Sequence, residues 1–195
     1  MSGFATPAAP LILASASPRR RELLAAAGFR FEVEVADVDE RRLSGEGAEA
    51  YARRVALLKA EAVHARRPGA LVLGADTIVV VDGDVLGKPV DDRDATAMLQ
   101  RLSGRAHRVL TAVAIVGGRE PREALEETVV WMAALAPEEI AAYVQTGEPR
   151  DKAGAYGIQG LASRFIPKIE GSYTNVVGLP ILLVDRLLRG VTVVS

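Results

Sequence analysis

The segment LILASASPRRRELL at residues 11–24 decides how the fold is built. Its first three residues are large and apolar, which predicts a short strand that is buried on both faces. Four small residues follow, and Pro18 suits the first turn of a helix that continues until Gly28. The segment therefore predicts a strand, a tight loop and a helix, with the loop ending at the helix N-terminus.

The start of this helix has the chemistry of an anion site. Free backbone N–H groups and the helix dipole attract negative charge there, and Ser15 and Ser17 add hydroxyl groups. Three consecutive arginines, Arg19 to Arg21, are poorly placed for the dipole, because cations favour the other end of a helix. An anionic ligand would explain them, whereas a plain helix cap made by Ser17 is the alternative. We expect a polyphosphate site here, and it is not a Walker loop, because GxxxxGK[ST] is absent.

Composition narrows the class of protein. A chain of 195 residues can bury a core as one domain or two intimate lobes, and its net charge of −1 argues against a general nucleic-acid or membrane binder. The absence of cysteine excludes disulfides and thiolate chemistry and fits a reducing compartment. The first ten residues do not resemble a signal peptide, and no apolar run approaches membrane-spanning length. We expect a cytoplasmic protein with a loose lead over residues 1–10 and a frayed tail over residues 191–195.

The rest of the chain predicts an alternation of strands and helices. A long stretch from Asp151 to Gly178, rich in glycine and polar residues, is predicted to be a functional loop. The predicted elements are a half-buried strand over 29–35, a helix over 48–67, two extended runs over 70–74 and 77–81, a hairpin at Asp82-Gly83, a helix over 91–103, an antiparallel pair over 109–116 and 126–135, a helix from Pro137 to Gln145 and a closing helix over 179–188.

Several polar residues stand out against this pattern. Asp76 interrupts an apolar stretch, where a carboxylate must be paired, hydrogen-bonded or bound to a metal; a structural pair and a catalytic role both remain open. Lys59 lies at the edge of the apolar stripe of its helix, and its ammonium group reaches either solvent or a phosphate in a cleft. Glu40 lies in a loop over residues 36–47 that is first acidic and then glycine-rich, and this loop is either solvated or contacts a metal or the substrate. Gln159 offers both a donor and an acceptor to a base edge.

Six blocks of this sequence, in this order, closely resemble the Maf family. Any one block would be a weak match, but the ordered set is specific and extends over about residues 11–188. The blocks are SASPRR at 15–20, GADTIVV at 74–80, GKP at 87–89, SGRAHRVLTAV at 103–113, KAGAYGIQG at 152–160 and GSYTNVVGLP at 171–180.

The resemblance implies a fold and an activity. Maf proteins are nucleoside triphosphate pyrophosphatases that cleave between the α and β phosphates with a divalent metal cation, Mg²⁺ or Mn²⁺. Their fold is α/β and similar to the inosine-triphosphate pyrophosphatases: a long mixed twisted sheet flanked by helices, with two lobes and a central cleft. We therefore expect a single Maf-like domain over residues 1–195.

The resemblance also implies roles for individual positions. Asp76 is the expected proton acceptor, and Mg²⁺ favours oxygen ligands, for which Glu40 and Asp76 are the candidates. The residues expected to line the polar site are Ser15, Arg20, Glu40, Lys59 and Lys88. The expected specificity positions are Arg19, Thr77 and Gln159.

The motifs SPRR, ADT and IQG resemble the branch of the family that acts on dTTP and UTP. The branch that acts on 7-methyl-GTP has an aromatic residue where Arg19 stands and glutamate where Gln159 stands, and this chain has neither. That branch and a non-enzymatic regulator of septum formation are the alternatives. The expected partners are a nucleoside triphosphate and a second copy of the chain in a homodimer, with no nucleic acid and no membrane.

Overall fold

The computed structural model describes residues 9–189 and residue 191. Its strands are β1 (Leu11–Leu13), β2 (Glu32–Val33), β3 (Leu71–Val81), β4 (Asp84–Leu86), β5 (Ala106–Val116), β6 (Arg122–Trp131) and β7 (Lys168–Glu170). Its helices are α1 (Pro18–Ala26), α2 (Ala48–His64), α3 (Asp92–Leu102), α4 (Pro137–Gln145), α5 (Tyr173–Val177) and α6 (Ile181–Leu188). Among the described residues, no helix combines the length and apolar character that a membrane crossing needs. The predicted lead and tail fall largely outside the described residues.

These strands form one mixed sheet in the order β2-β1-β3-β5-β6-β7, and β4 pairs with β3 beside this path. β1 is parallel to β2 and to β3, whereas β4 is antiparallel to β3 and β7 is antiparallel to β6. Leu11 aligns with Leu71, and Leu13 aligns with Leu73. The predicted α/β class, a mixed sheet flanked by helices, is confirmed.

The chain divides into two compact units, each with its own apolar core. The first unit contains the residues up to Asp76, residues 111–126 and the residues from Gly178 onward. The second contains residues 77–110 and 127–177. The first core includes Leu13, Leu24, Leu73, Ile115, Leu179 and Val184. The second includes Val79, Leu99, Leu102, Val130, Ile140 and Tyr143. The prediction of a single domain stays a prediction.

Two predicted turns have the backbone that their residues favour. Gly28 follows α1 with a φ of +82°, the left-handed conformation that ends many helices. Asp82 and Gly83 have φ values of +54° and +83° and connect β3 to β4. Two consecutive left-handed residues match the right-handed twist of the flanking strands, which confirms the predicted hairpin.

The predicted half-buried strand over residues 29–35 is wrong in its length and in its burial. Only Glu32 and Val33 form β2, and Val33 and Val35 are 45% and 54% exposed. β2 is the last strand at one edge of the sheet, and Arg67 makes ion pairs with Glu32 in the strand and with Glu34 just after it. An alternation of apolar residues does not indicate whether another element packs against them, and within residues 9–189 these two valines stay exposed.

Two further boundaries differ from the predictions. The two extended runs around Asp76 are one continuous strand, β3, because the small and polar residues between them keep extended backbone. The segment from Asp151 to Gly178 is not one long loop. It contains β7, α5 and parts of three short 3₁₀ helices, at Glu148–Asp151, Ala153–Ala155 and Leu161–Phe165.

His107 generates a prediction about the pH dependence of stability. The residue is 3% exposed, its Nε2 is 2.6 Å from the Tyr156 hydroxyl, and burial lowers its pKa to about 4. The folded state therefore keeps the ring neutral, while the unfolded chain protonates it below about pH 6.5. The contribution of the neutral His107 ring to the free energy of unfolding is therefore fully present above pH 6.5 and is lost as the pH falls towards 4. Between pH 7.5 and pH 5 we expect the free energy of unfolding to fall by about 2 kcal/mol through this residue.

Denaturant titrations of wild type and His107→Gln at both pH values test this expectation. The glutamine keeps a hydrogen-bonding group for Tyr156 but does not titrate. The variant should therefore lose most of the difference between pH 7.5 and pH 5. An equal decrease in both proteins would show that His107 does not cause it.

Candidate functional site

The loop before α1 is ordered by its own hydroxyl groups. Ser17 is the N-cap of α1, and its Oγ accepts a hydrogen bond of 3.4 Å from the Arg20 amide. Ser15 is buried, and its Oγ accepts a hydrogen bond of 3.2 Å from the Ser17 amide. Pro18 occupies the first turn, where its missing N–H is not needed. The plain cap that we considered as the alternative is therefore present, and it leaves the loop tightly folded around the helix start.

Arg20 is buried and faces inward, whereas Arg21 is exposed. The Arg20 guanidinium donates hydrogen bonds of 2.8 Å to the Gly178 carbonyl, 2.8 Å to the Ala75 carbonyl and 3.3 Å to Ser15 Oγ. Burial lowers the pKa of Arg20, while the negative charges of Asp76 and Glu40 act in the opposite direction. Arg20 thus holds the loop, β3 and the segment before α6 in place. The sequence did not predict this anchoring role.

A close contact between α2 and β3 positions the second cation. A Cβ atom at Gly74 would overlap the Ala56 carbonyl oxygen and lie 2.9 Å from the Ala60 amide nitrogen. Glycine therefore allows the backbone of α2 to approach β3 more closely than a side chain would permit. Lys59 precedes Ala60 on α2, and Asp76 is two residues after Gly74 on β3. The contact places these two charged side chains next to each other.

The Lys59 ammonium group joins two carboxylates. Its Nζ lies 2.9 Å from Asp76 Oδ1 and 2.9 Å from Glu40 Oε2. The side chains of Lys59 and Asp76 are each 10% exposed, and that of Glu40 is 50% exposed. Buried charges need partners in this way, so the structural pair proposed for Asp76 is present. The prediction that Lys59 reaches solvent is excluded.

Tyr51 on α2 also belongs to this arrangement. Its hydroxyl donates a hydrogen bond of 2.9 Å to the Glu40 carbonyl oxygen. Burial raises the pKa of this hydroxyl, and the charges of Asp76 and Glu40 raise it further. Arg54, one turn along α2, pairs at 2.6 Å with Glu46 in the same loop. These two helix residues hold the loop that carries Glu40, and neither contact could be predicted from residue spacing along the chain.

Of the remaining predicted site residues, Arg19 is half-buried on α1 in the first unit, and the other three lie in the second unit. Thr77 is half-buried at the start of that unit's part of β3. Lys88 is exposed after β4, and Gln159 is exposed at the turn between the second and third 3₁₀ helices. In the same unit, Lys152 donates a hydrogen bond of 2.6 Å to the Glu148 carbonyl oxygen. Lys168 lies 4.3 Å from the centre of the Trp131 ring.

The first unit therefore brings together Ser15, Arg20, Glu40, Lys59 and Asp76. Two cations and two carboxylates balance each other there, in largely buried surroundings. The carboxylate oxygens can accept a proton or bind a hard cation, and the cations can neutralise an anionic ligand. In the described part of the chain, no group of three or more His, Asp or Glu side chains forms a metal site.

Comparison with known proteins identifies a matching family model and several similar sequences. The family model described as Maf-like protein matches residues 10–191. A relative from Symbiobacterium thermophilum named dTTP/UTP pyrophosphatase is 60% identical over 171 residues, which is 88% of each chain. A relative of the same name from Koribacter versatilis is 54% identical over 92% of this chain and 93% of its own.

A solved structure, that of the Staphylococcus aureus Ham1 protein, has a TM-score of 0.53 at 15% identity. The match covers 93% of this chain and 98% of that chain. Since the two sequences are so different, the likeness concerns the fold alone. It agrees with the α/β architecture described above.

Replacing Lys59 tests whether it holds the two carboxylates together. Lys59→Met keeps the length of the side chain but leaves Asp76 buried without its ammonium partner. We expect the free energy of unfolding at pH 7 to fall by about 3 kcal/mol, which is typical when one partner of a buried ion pair is removed. Lys88→Met, at an exposed lysine, is the matched control and should change stability little. Equal effects of the two variants in urea titrations would contradict the assignment.

Proposed function

Because the chain belongs to the Maf family, we propose that it is a nucleoside triphosphate pyrophosphatase that hydrolyses dTTP and UTP. The reaction releases the nucleoside monophosphate and pyrophosphate. The observation that carries the proposal is the cluster of Glu40, Lys59 and Asp76 beside the buried Arg20. Support comes also from relatives named for this activity at up to 60% identity.

The proposed phosphate contacts combine backbone and cationic groups. The N-terminus of α1 and the Ser15 hydroxyl donate to phosphate oxygens, and Arg20 contributes its charge from a fixed position. The other cationic side chains proposed to contact phosphate are those of Arg19, Lys59 and Lys88. Positive groups that are already ordered stabilise the charge that moves onto the leaving pyrophosphate without a large reorganisation.

The predicted divalent metal fits the carboxylates of the first unit. Glu40 and Asp76 both contact the same ammonium nitrogen, so their oxygens lie near one another and would hold the ion. Mg²⁺ commonly uses one or two protein carboxylates together with substrate phosphate oxygens and water, which agrees with the absence of a three-carboxylate cluster among the described residues. When bound, such an ion neutralises phosphate charge and favours a nucleophilic hydroxide.

Asp76 is the proposed proton acceptor. The oxygen of a water molecule bonds to the α phosphorus, the bond from that phosphorus to the bridging oxygen breaks, and pyrophosphate leaves. Asp76 takes the proton of the water on its carboxylate. Lys59, which donates to Asp76 Oδ1, keeps the carboxylate in place during this transfer.

Arg19, Thr77 and Gln159 are the proposed specificity residues. Uracil and thymine present a carbonyl, the N3–H donor and a second carbonyl along one edge. A carboxamide can pair with one donor and one acceptor of this edge at once, and an ionised glutamate can only accept.

We further propose that the enzyme acts in the cytoplasm. The predicted homodimer stays a prediction.

The direct test is pyrophosphate release by purified protein from dTTP, UTP, CTP, GTP and 7-methyl-GTP, with Mg²⁺, with Mn²⁺ and with a chelator. Release from dTTP and UTP in the presence of metal is the expected result. A preference for 7-methyl-GTP would indicate the other branch of the family. Nucleotide binding without any release would indicate a regulator that is not an enzyme.

Asp76→Asn should lower turnover of dTTP by about a hundredfold or more, because the amide cannot accept the proton or bind the metal as a carboxylate does. The asparagine oxygen can still accept a hydrogen bond from Lys59, so we expect the fold to persist. Asp37→Asn, at an exposed acid of the same unit, is the control. Turnover close to that of wild type, in a folded Asp76→Asn protein, would refute the catalytic role.

Gln159→Glu should lower kcat/KM for dTTP and UTP by roughly ten- to a hundredfold, from the loss of one or two hydrogen bonds and an unfavourable carboxylate–carbonyl contact. Arg19 and Thr77 would still favour pyrimidines, so good 7-methyl-GTP activity is not expected. Gln100→Glu, on the exposed face of α3, controls for the added charge. An unchanged ratio of dTTP to GTP activity would mean that Gln159 does not read the base.

A further inference from the structure

Gln159 is carried by a short turn with glycine at each end. The turn extends from Gly157 to Gly160, and the Gly160 amide donates a hydrogen bond of 3.1 Å to the Gly157 carbonyl oxygen. The Gln159 side chain is exposed on this turn. Because the proposed function assigns base reading to Gln159, the orientation of the turn decides whether its amide can meet the base.

Two side chains outside the turn hold its ends. The Gly157 amide hydrogen-bonds to the Tyr143 hydroxyl, which in turn donates a hydrogen bond of 2.9 Å to Glu148 Oε1. The second carboxylate oxygen, Glu148 Oε2, accepts a hydrogen bond of 2.9 Å from the Leu161 amide. The carboxylate and the hydroxyl therefore link the residue that begins the turn to the residue that follows it.

The two glycines are needed for this close fit. A Cβ atom at Gly160 would lie 2.5 Å from Glu148 Cδ, and one at Gly157 would lie 2.6 Å from Lys152 Cε. Lys152 is itself held, since its ammonium group donates to the Glu148 carbonyl oxygen at 2.6 Å. The backbone of the turn thus packs directly against the side chains of Glu148 and Lys152.

The Tyr143 side chain that contacts the turn is buried and closely packed. Tyr143 is 3% exposed, and its ring packs edge-on against Phe165, with the ring centres 5.5 Å apart. Burial raises the pKa of the Tyr143 hydroxyl well above its usual value, and the hydrogen bond to Glu148 raises it further. The hydroxyl therefore remains a proton donor to the Glu148 carboxylate across the working pH range.

We propose that Glu148, acting with Tyr143, is a positioning residue for base recognition: it orders the Gly157–Gly160 turn and so presents the Gln159 amide. The inference rests on the proposed function. A glutamine at this position has a single acceptor oxygen, so it cannot accept from the Tyr143 hydroxyl on one oxygen and from the Leu161 amide on the other, as the carboxylate does. The turn then adopts more conformations, which must be reduced when nucleotide binds. The expected effect is on substrate binding and base preference, because Glu148 is not among the residues proposed to contact phosphate or the reacting atoms.

Steady-state kinetics with dTTP and CTP on wild type, Glu148→Gln and Tyr143→Phe test this proposal. We expect Glu148→Gln to raise KM for dTTP about tenfold, with kcat changed less than about twofold, and to reduce the preference for dTTP over CTP. Tyr143→Phe, which keeps the packed ring, should act in the same direction. Glu138→Gln, at an exposed glutamate of α4, is the matched control and should leave the kinetics unchanged.

A double-variant cycle shows whether Glu148 acts through Gln159. In a Gln159→Ala background, the further change Glu148→Gln should cause little additional loss, since the side chain that it positions is already absent. Hydrogen exchange supplies a readout that does not depend on activity: the Leu161 amide should exchange faster in Glu148→Gln than in wild type or Glu138→Gln.

The outcomes separate the two proposals. If wild type hydrolyses dTTP but Glu148→Gln keeps its preference over CTP, or the losses in the double variant are additive, the positioning role is overturned and the function stands. If wild type releases no pyrophosphate, the proposed function is overturned and base positioning falls with it. Unchanged exchange at Leu161 would overturn the ordering of the turn in either case.

Discussion

The first unit depends on the close approach of α2 to β3 at Gly74. Since no Cβ separates the two backbones, the helix lies against the strand, and Lys59 meets Asp76 at 2.9 Å. An aspartate in the interior of a strand would otherwise be an uncompensated buried charge. The same ammonium group also reaches Glu40, so a single packing contact assembles both carboxylates of the candidate site.

This arrangement explains why the charged groups can be both stable and reactive. In the absence of substrate, Lys59 and Arg20 balance the two carboxylates, and backbone carbonyls satisfy much of the Arg20 guanidinium. In the proposed reaction, a polyphosphate with its metal would add negative and positive charge to a set that is already ordered. Preorganised charges of this kind stabilise a transition state more than mobile surface charges do, because they require little rearrangement during the reaction.

In the proposed function, the second unit recognises the base by a different principle. There a buried hydroxyl and a carboxylate bind backbone amides on both sides of a glycine turn, and the exposed side chain of Gln159 extends from it. In such a site, base specificity depends on an ordered backbone as much as on the type of side chain that contacts the base. The prediction of a long loop over residues 151–178 therefore missed how much of this segment is ordered. Two of its glycines, Gly157 and Gly160, allow close packing against Lys152 and Glu148.

The sequence by itself determined the features whose causes are local. The strand–loop–helix start, the Asp82-Gly83 hairpin and most helices follow from apolar periodicity, capping residues and turn chemistry within a few positions. The ordered motifs also identified Asp76, Lys59 and Gln159 as candidates before any contact was known. Each of these signals lies within a short window of the chain.

Only the tertiary structure decided which distant residues meet and which faces are covered. Arg20 donates to the carbonyl of Gly178, which is 158 positions away, and Tyr51 donates to that of Glu40 across a loop. The exposure of Val33 and Val35 likewise depends on β2 being the edge of the sheet. Long-range hydrogen bonds and burial are set by the packing of elements against one another, and residue type and spacing along the chain do not contain that information.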